Sequence, residues 1–164
     1  SRARVVASRM DRFDGIDRRI LAILREHGRA SHAHVAKQVG LSAPAVGERI
    51  RKLEQAGVIL GYRAELAPDA LGLPICAFVA LAPRPGTIVA ELVERLLALP
   101  EIEDLHSVAG TYSYFAKVRA ASPEALDAFL DRLMMMEGVE RTETTMVLRT
   151  SAERPVPLPF ESAP

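Results

Sequence analysis

The residues of this 164-residue chain whose types and spacing can do chemistry cluster first between Ser42 and Lys52. Val46, Ile50 and Leu53 stand at i, i+4 and i+7, which makes one apolar stripe if the segment is helical. The opposite face then carries Pro44, Glu48, Arg51, Lys52 and Gln55, with Arg49 on a flank. Cations on an outward helical face hold phosphates, whereas base edges are read mainly from the helix N-terminus. Ala43, Pro44, Ala45 and Glu48 are therefore the candidate readers, Arg49, Arg51 and Lys52 the candidate phosphate contacts, and Ser42 completes the set expected at a double-stranded DNA surface. The readers are mostly small or apolar, so DNA deformability should supply much of the specificity. The same charges can also pair with one another at i, i+3 and i+4 as an ordinary solvated face.

Other reactive residues carry less. His32 and His34, with His27 nearby, have no cysteine or carboxylate cluster at ligand spacing, and surface histidines beside DNA are the simpler reading. His106 is expected on a strand face shared with Ile102 and Val108, as a satisfied structural histidine. Met134, Met135 and Met136 end a helix and divide between core and interface. Cys76 lies in an apolar run with no base beside it. There is no phosphate-cradling glycine loop and no nucleophile elbow, so neither cofactor, metal nor catalytic residue is expected.

Charge separates the chain into halves. Residues 1–63 hold 13 Lys/Arg against 6 Asp/Glu, a net +7, and residues 64–164 hold 8 against 15, a net −7. A field that attracts a polyanion needs its positive charge concentrated, so the first half is the one to meet nucleic acid. Apolar residues make up 49% of the chain and charged ones 26%, a globular composition. No apolar run approaches the ~20 residues of a membrane span. With one cysteine and no secretory pattern, a soluble cytoplasmic protein is expected.

The positioning elements follow from caps and periodicity. Residues 1–12 show no sustained period and read as a flexible extension. Asp14 can cap a helix with Ile16, Ile20, Ile23 and Leu24 on one face, ending near Gly28. Ser31 caps a shorter segment with Val35, Ala36 and Val39 inward, stopped by Gly40. Ser42 opens the third helix and Gly57 closes it, so residues 13–62 form a helix-turn-helix domain. Val58, Ile59 and Leu60, then Gly61 and Tyr62, read as a short strand and turn, a wing or the start of the 63–73 linker.

Residues 74–150 alternate differently. The reading is a strand over Leu73–Ala82, then a helix capped by Thr87 with Ile88, Leu92, Val93, Leu96 and Leu97 inward. Strands Ile102–Val108 and Tyr112–Ala120 follow, separated by Ala109-Gly110-Thr111 as a hairpin. Ser122 and Pro123 start a helix with Leu126, Phe129, Leu130 and Leu133 inward, and Val139–Thr150 is the last strand. The order β-α-β-β-α-β is the ferredoxin-like unit, which makes the chain α+β and leaves one sheet face for a partner. Residues 151–164, with four prolines, read as an irregular tail.

These residues resemble the Lrp/AsnC regulators of bacteria and archaea. The likeness rests on Asp14-Gly15-Ile16-Asp17-Arg18-Arg19-Ile20-Leu21, Gly28-Arg29-Ala30-Ser31, Val39-Gly40-Leu41-Ser42, Glu48-Arg49-Ile50-Arg51-Lys52-Leu53-Glu54 and Gly57-Val58-Ile59-Leu60-Gly61-Tyr62. It continues through Pro68–Gly72, Val108-Ala109-Gly110, Gly138-Val139 and Thr142-x-Thr144. The resemblance implies a transcriptional regulator whose C-terminal half forms dimers, then tetramers, octamers or larger rings, with amino acids as common effectors. It implies an effector pocket between dimers near the hairpin joining the second and third strands, here Ala109, Gly110, Thr111, Tyr112, Ser113 and Tyr114, with Thr142 and Thr144 helping to line it. Ser113 stands where the family often has an aspartate, so an effector ammonium must find another partner or the effector differs.

Two other readings stay open. Siroheme decarboxylases resemble the same two-domain architecture, and His106 would then matter most. An architectural DNA-binding protein without an effector would share the helix and the oligomer, and Ser113 is compatible with it.

Overall fold

A computed structural model describes residues 13–160. The expected extension over residues 1–12 and the end of the tail at 161–164 lie outside the described residues. Two compact units are present, one made of residues up to Glu65 together with the segment from Glu153 onward, the other of Leu66–Ala152.

In the first unit, α1 (Gly15–Glu26), α2 (His32–Val39) and α3 (Ala43–Gln55) form where the local signals put them. The Asp14 carboxylate accepts the Ile16 and Asp17 N–H groups, and the Asp17 carboxylate accepts that of Asp14, a reciprocal cap. Ser31 and Ser42 accept the N–H groups of His34 and Ala45. Gly40 ends α2 at φ 73° and Gly57 follows α3 at φ 67°, left-handed positions that a side chain would strain. Ile20, Val35, Ala36, Val39, Val46, Ile50 and Leu53 make the buried core. Burying each larger one contributes on the order of 1.5–3 kcal/mol.

The wing strand does not form. The N–H groups of Val58 and Ile59 both donate to the Leu53 carbonyl, at 2.9 and 3.3 Å, as the wrap-around closing α3. Groups so engaged cannot enter a strand ladder, and residues 58–66 carry no strand.

The second unit is a four-stranded antiparallel sheet in the order β2-β3-β1-β4, built from β1 (Ile75–Pro83), β2 (Ile102–Ser107), β3 (Tyr114–Ala120) and β4 (Val139–Met146). Helices α4 (Val89–Leu97) and α5 (Pro123–Met134) cover one face. Ala77, Val79, Leu81, Tyr114, Ala116 and Val118 meet Leu92, Leu96, Leu126, Phe129 and Leu133 in the core between them. On the uncovered face Phe78 and Phe115 are 43% and 42% exposed.

Five local expectations change. Thr87 does not cap α4: its hydroxyl donates to the Gly138 carbonyl, and the helix begins after Ile88 without a side-chain cap. Ile88 and Leu97 are exposed rather than inward. A bulge between Ile102 and Asp104 reverses the side-chain alternation of β2. Ile102 therefore pairs with Val118 of the core, while His106 pairs with Phe115 on the uncovered face and is exposed. The last strand stops at Met146 rather than Thr150, and the hairpin strands end at Ser107 and resume at Tyr114. Among the methionines, Met136 packs against the core while Met134 and Met135 are 45% and 87% exposed. No helix among the described residues is long and apolar enough to cross a membrane.

Candidate nucleic-acid interface and effector region

The Gly40–Ser42 turn leaves α3 with its Val46, Ile50 and Leu53 stripe buried and its other side open. Ser42, Pro44, Glu48, Arg51 and Lys52 are exposed, and Ala43, Ala45 and Arg49 are half-buried. Ala45, Glu48, Arg49 and Lys52 line an open depression of about 410 Å³ that Phe13 and Asp17 close from the α1 side.

The charges on this face are organised. Arg51 donates to both Glu48 carboxylate oxygens, at 3.0 and 2.7 Å, and Lys52 Nζ lies 3.9 Å from the same group. The Arg51 hydrogen bond holds the Glu48 carboxyl below its ordinary range and raises the Arg51 guanidinium in turn. These pairs are exposed, so an incoming phosphate can compete for either cation at little cost. Arg49 differs. Its Nη1 donates to Asp17 Oδ1 at 2.7 Å and Asp14 Oδ2 at 2.8 Å, tying α3 to the cap of α1. The guanidinium is thus occupied in fastening two helices, and Arg51 and Lys52 are the cations left on the outward face.

Gly47 was not singled out from the sequence, yet it sets the approach of α2 to α3. A Cβ there would lie 3.0 Å from His32 Nδ1. A glycine inside a helical pattern was the available signal. His27, His32 and His34 are exposed, and His34 shares a 2.7 Å hydrogen bond with Gln38. No group of His, Cys, Asp and Glu among the described residues is arranged to hold a metal.

In the second unit the connection between β2 and β3 is held at its base. Val108 N–H donates to the Ser113 carbonyl, and Ser113 N–H to that of Leu81, both at 2.9 Å. Ala109, Gly110 and Thr111 are exposed at the tip, Tyr112 and Ser113 are half-buried, and Tyr114 is a core residue at 4% exposure. The Tyr112 hydroxyl donates to Glu143 at 2.7 Å, which raises its pKa, and the Arg141 guanidinium lies 4.8 Å from its ring centre. Thr142 and Thr144 pair across the sheet with Leu81 and Val79, so they emerge on the helix-covered side, where the Thr142 hydroxyl meets the Met134 sulfur at 3.2 Å. Glu143 pairs with Ala80 and emerges on the other. Among the candidate effector residues, Thr142 and Thr144 thus lie on the helix-covered side of β4, and Tyr112 reaches Glu143 on the other.

A family model described as the AsnC-type helix-turn-helix domain matches residues 13–54, and one described as the Lrp/AsnC ligand binding domain matches residues 76–157. The chain is 40% identical over 138 residues to the HTH-type transcriptional regulator LrpA of Mycobacterium tuberculosis, across 84% of this chain and 91% of that protein. It is similar to the solved structure of a Neisseria meningitidis transcriptional regulator in complex with L-Met, with a TM-score of 0.85 at 26% identity over 90% of this chain and 97% of that one. It is also similar to the feast or famine regulatory protein of M. tuberculosis complexed with L-methionine, with a TM-score of 0.80 at 37% identity over 92% and 99% of the two chains.

Proposed function

Because the chain belongs to the Lrp/AsnC family of transcriptional regulators, we propose that residues 13–62 grip double-stranded DNA with α3 in the major groove. In this reading Ser42, Ala43, Pro44, Ala45 and Glu48 lie against base edges and Arg51 and Lys52 against phosphates. The observation that carries it is the outward face of α3, which combines exposed cations with a small-residue N-terminus in a half of the chain whose net charge is +7. Small side chains let the helix sit close to the bases, and specificity then comes largely from groove shape. The test is selection of bound fragments from a random DNA pool followed by affinity measurement across salt concentrations. Binding that ignores both sequence and salt would remove the proposal.

The second unit is proposed to assemble copies of the chain through the uncovered sheet face. Phe78 and Phe115 stand there beside buried Ala80 and Cys76, an apolar patch that a second copy would cover. A small molecule, an amino acid or a relative of one, is proposed to bind at the edge of β4 between assembled copies. Ala109, Gly110, Thr111, Tyr112 and Ser113 of the hairpin, with Tyr114 behind them and Thr142 and Thr144 alongside, would frame it. The L-methionine complexes of two similar regulators support this class of ligand. With Ser113 in place of an acid, the ammonium has Glu143 as the nearby carboxylate of β4, already bonded to Tyr112. Calorimetric titration with the twenty amino acids tests it, and absence of heat and of any thermal shift for all of them would refute it.

A further inference from the structure

The chain leaves the second unit after Ala152 and packs from Glu153 onward with the first. We infer that residues 153–160 are a clasp on the DNA-binding unit, and that it helps hold α3 in place through α1. The segment reads Glu153-Arg154-Pro155-Val156-Pro157-Leu158-Pro159-Phe160, and from Pro155 it alternates proline with an apolar residue. Proline fixes φ, so the segment is extended before it docks and loses little backbone freedom on docking. At its end the alternation has a structural counterpart: Leu158 and Phe160 are half-buried, while Pro157 and Pro159 are exposed.

The seat is formed by Leu21 and Leu24 of α1 together with Val58, Leu60 and Tyr62 after α3. The segment grips it at its far end. The Arg18 guanidinium of α1 lies 5.6 Å from the Phe160 ring centre, and Arg18 Nε is buried without a hydrogen-bond partner, so the ring face is what meets this cation. Around Val156 the fit is open. A cleft of about 440 Å³ stays open along the seat, and Val156 and Leu60 are 80% and 93% exposed.

Arg18 is the immediate neighbour of Asp17, whose carboxylate holds Arg49 of α3 at 2.7 Å. Phe160, α1 and α3 are therefore joined by consecutive contacts within one unit. The segment is also the direct continuation of β4, beginning seven residues after Met146. The DNA-binding unit is thus connected to the second unit by two stretches of chain, and the second leads from the strand that carries Thr142 and Thr144.

The contact does not depend on the DNA reading, whereas its effect on α3 does, and the experiment separates the two. Amide hydrogen exchange is measured on the full chain and on Leu158→Asp/Phe160→Ala, with Phe160→Trp as the variant that keeps an aromatic face. The double variant is expected to speed exchange in α1 roughly tenfold and leave β1 and β3 unchanged, and Phe160→Trp to retain the protection. Equal exchange in α1 would overturn the clasp. Affinity for a selected DNA fragment is expected to fall several-fold in the double variant with an unaltered salt slope, and unaltered affinity would overturn its influence on α3. If the full chain binds no DNA, the functional reading fails and exchange alone decides the clasp. In a Cys76→Ala chain, Leu21→Cys and Leu158→Cys are expected to cross-link within one chain. Cross-linking only between chains, or none, would overturn the clasp as an internal contact.

Discussion

Arg49 of α3 and Asp17 of α1, 32 residues apart in sequence, form a 2.7 Å ion pair with side-chain exposures of 29% and 15%. Arg49 belongs to the same charged run as Arg51 and Lys52, yet its partners put it in a different role. Replacing it with Met should cost the first unit about 1 kcal/mol in chemical denaturation. The salt slope of DNA binding should stay as it was, and a slope reduced as much as by Arg51→Ala would return Arg49 to the phosphate contacts.

For Arg51→Ala and Lys52→Ala the expectation is the reverse. Each lost phosphate contact should lower the slope of log K against log salt by about 0.9. Folding stability should change little, since both side chains are exposed. Glu48→Gln should strengthen non-specific binding by freeing both cations, read as a higher affinity for random duplex.

Acid should loosen the first unit through Asp14. Its carboxyl is held below the ordinary value of 3.8, first by the Asp17 backbone N–H and next by the Arg49 guanidinium. A carboxyl lowered in the folded state contributes fully above its ordinary value, and the contribution is lost as pH falls through the lowered one. The stability gap between the natural chain and Asp14→Ala should therefore be open near neutrality and close in acid. A gap of equal size at both would refute this cause.

Gly138→Ala should destabilise the second unit by roughly 1–3 kcal/mol. Gly138 has φ 94°, and a Cβ there would come within 2.7 Å of Thr87 Cγ2. Thermal unfolding should report the loss, and Thr87→Ser in the same chain should recover part of it by removing the clashing methyl.

Phe115→Asp is expected to dissociate assemblies of the chain. It places a charge in the middle of the uncovered face, cross-strand from Ala80 and His106. Sedimentation at fixed concentration should show a smaller species with unchanged helix content, and an unaltered sedimentation coefficient would send assembly to another surface.

The three-helix unit was legible because its signals are local. Asp14, Ser31, Ser42, Gly40 and Gly57 act within a few residues of where they stand, and the apolar stripes needed only a helical period. The β-α-β-β-α-β order was legible for the same reason. What escaped depended on partners far along the chain or on a single inserted residue. Arg49 reads as an outward cation until Asp14 and Asp17 are brought to it. His106 reads as core until the bulge near Glu103 shifts the alternation and turns it out. Tyr112, Thr142 and Thr144 were named together from the resemblance, and alternation alone could not say that the Tyr112 hydroxyl would find Glu143 on the opposite side of β4. The tail was read as irregular, and its described residues 151–160 carry neither helix nor strand, but proline content said nothing of what they lie against.

That tail also orders events during synthesis. Residues 66–152 form a unit interrupting another, since the chain departs from the first unit at Glu65 and rejoins it at Glu153. The three-helix core can fold as soon as the ribosome releases it, because no described residue of the tail belongs to its buried cluster. Its last segment emerges only after the entire sheet has been made. A chain stalled or clipped before Glu153 would carry both cores yet lack the closing piece, and the DNA-binding unit would be the part left unfinished.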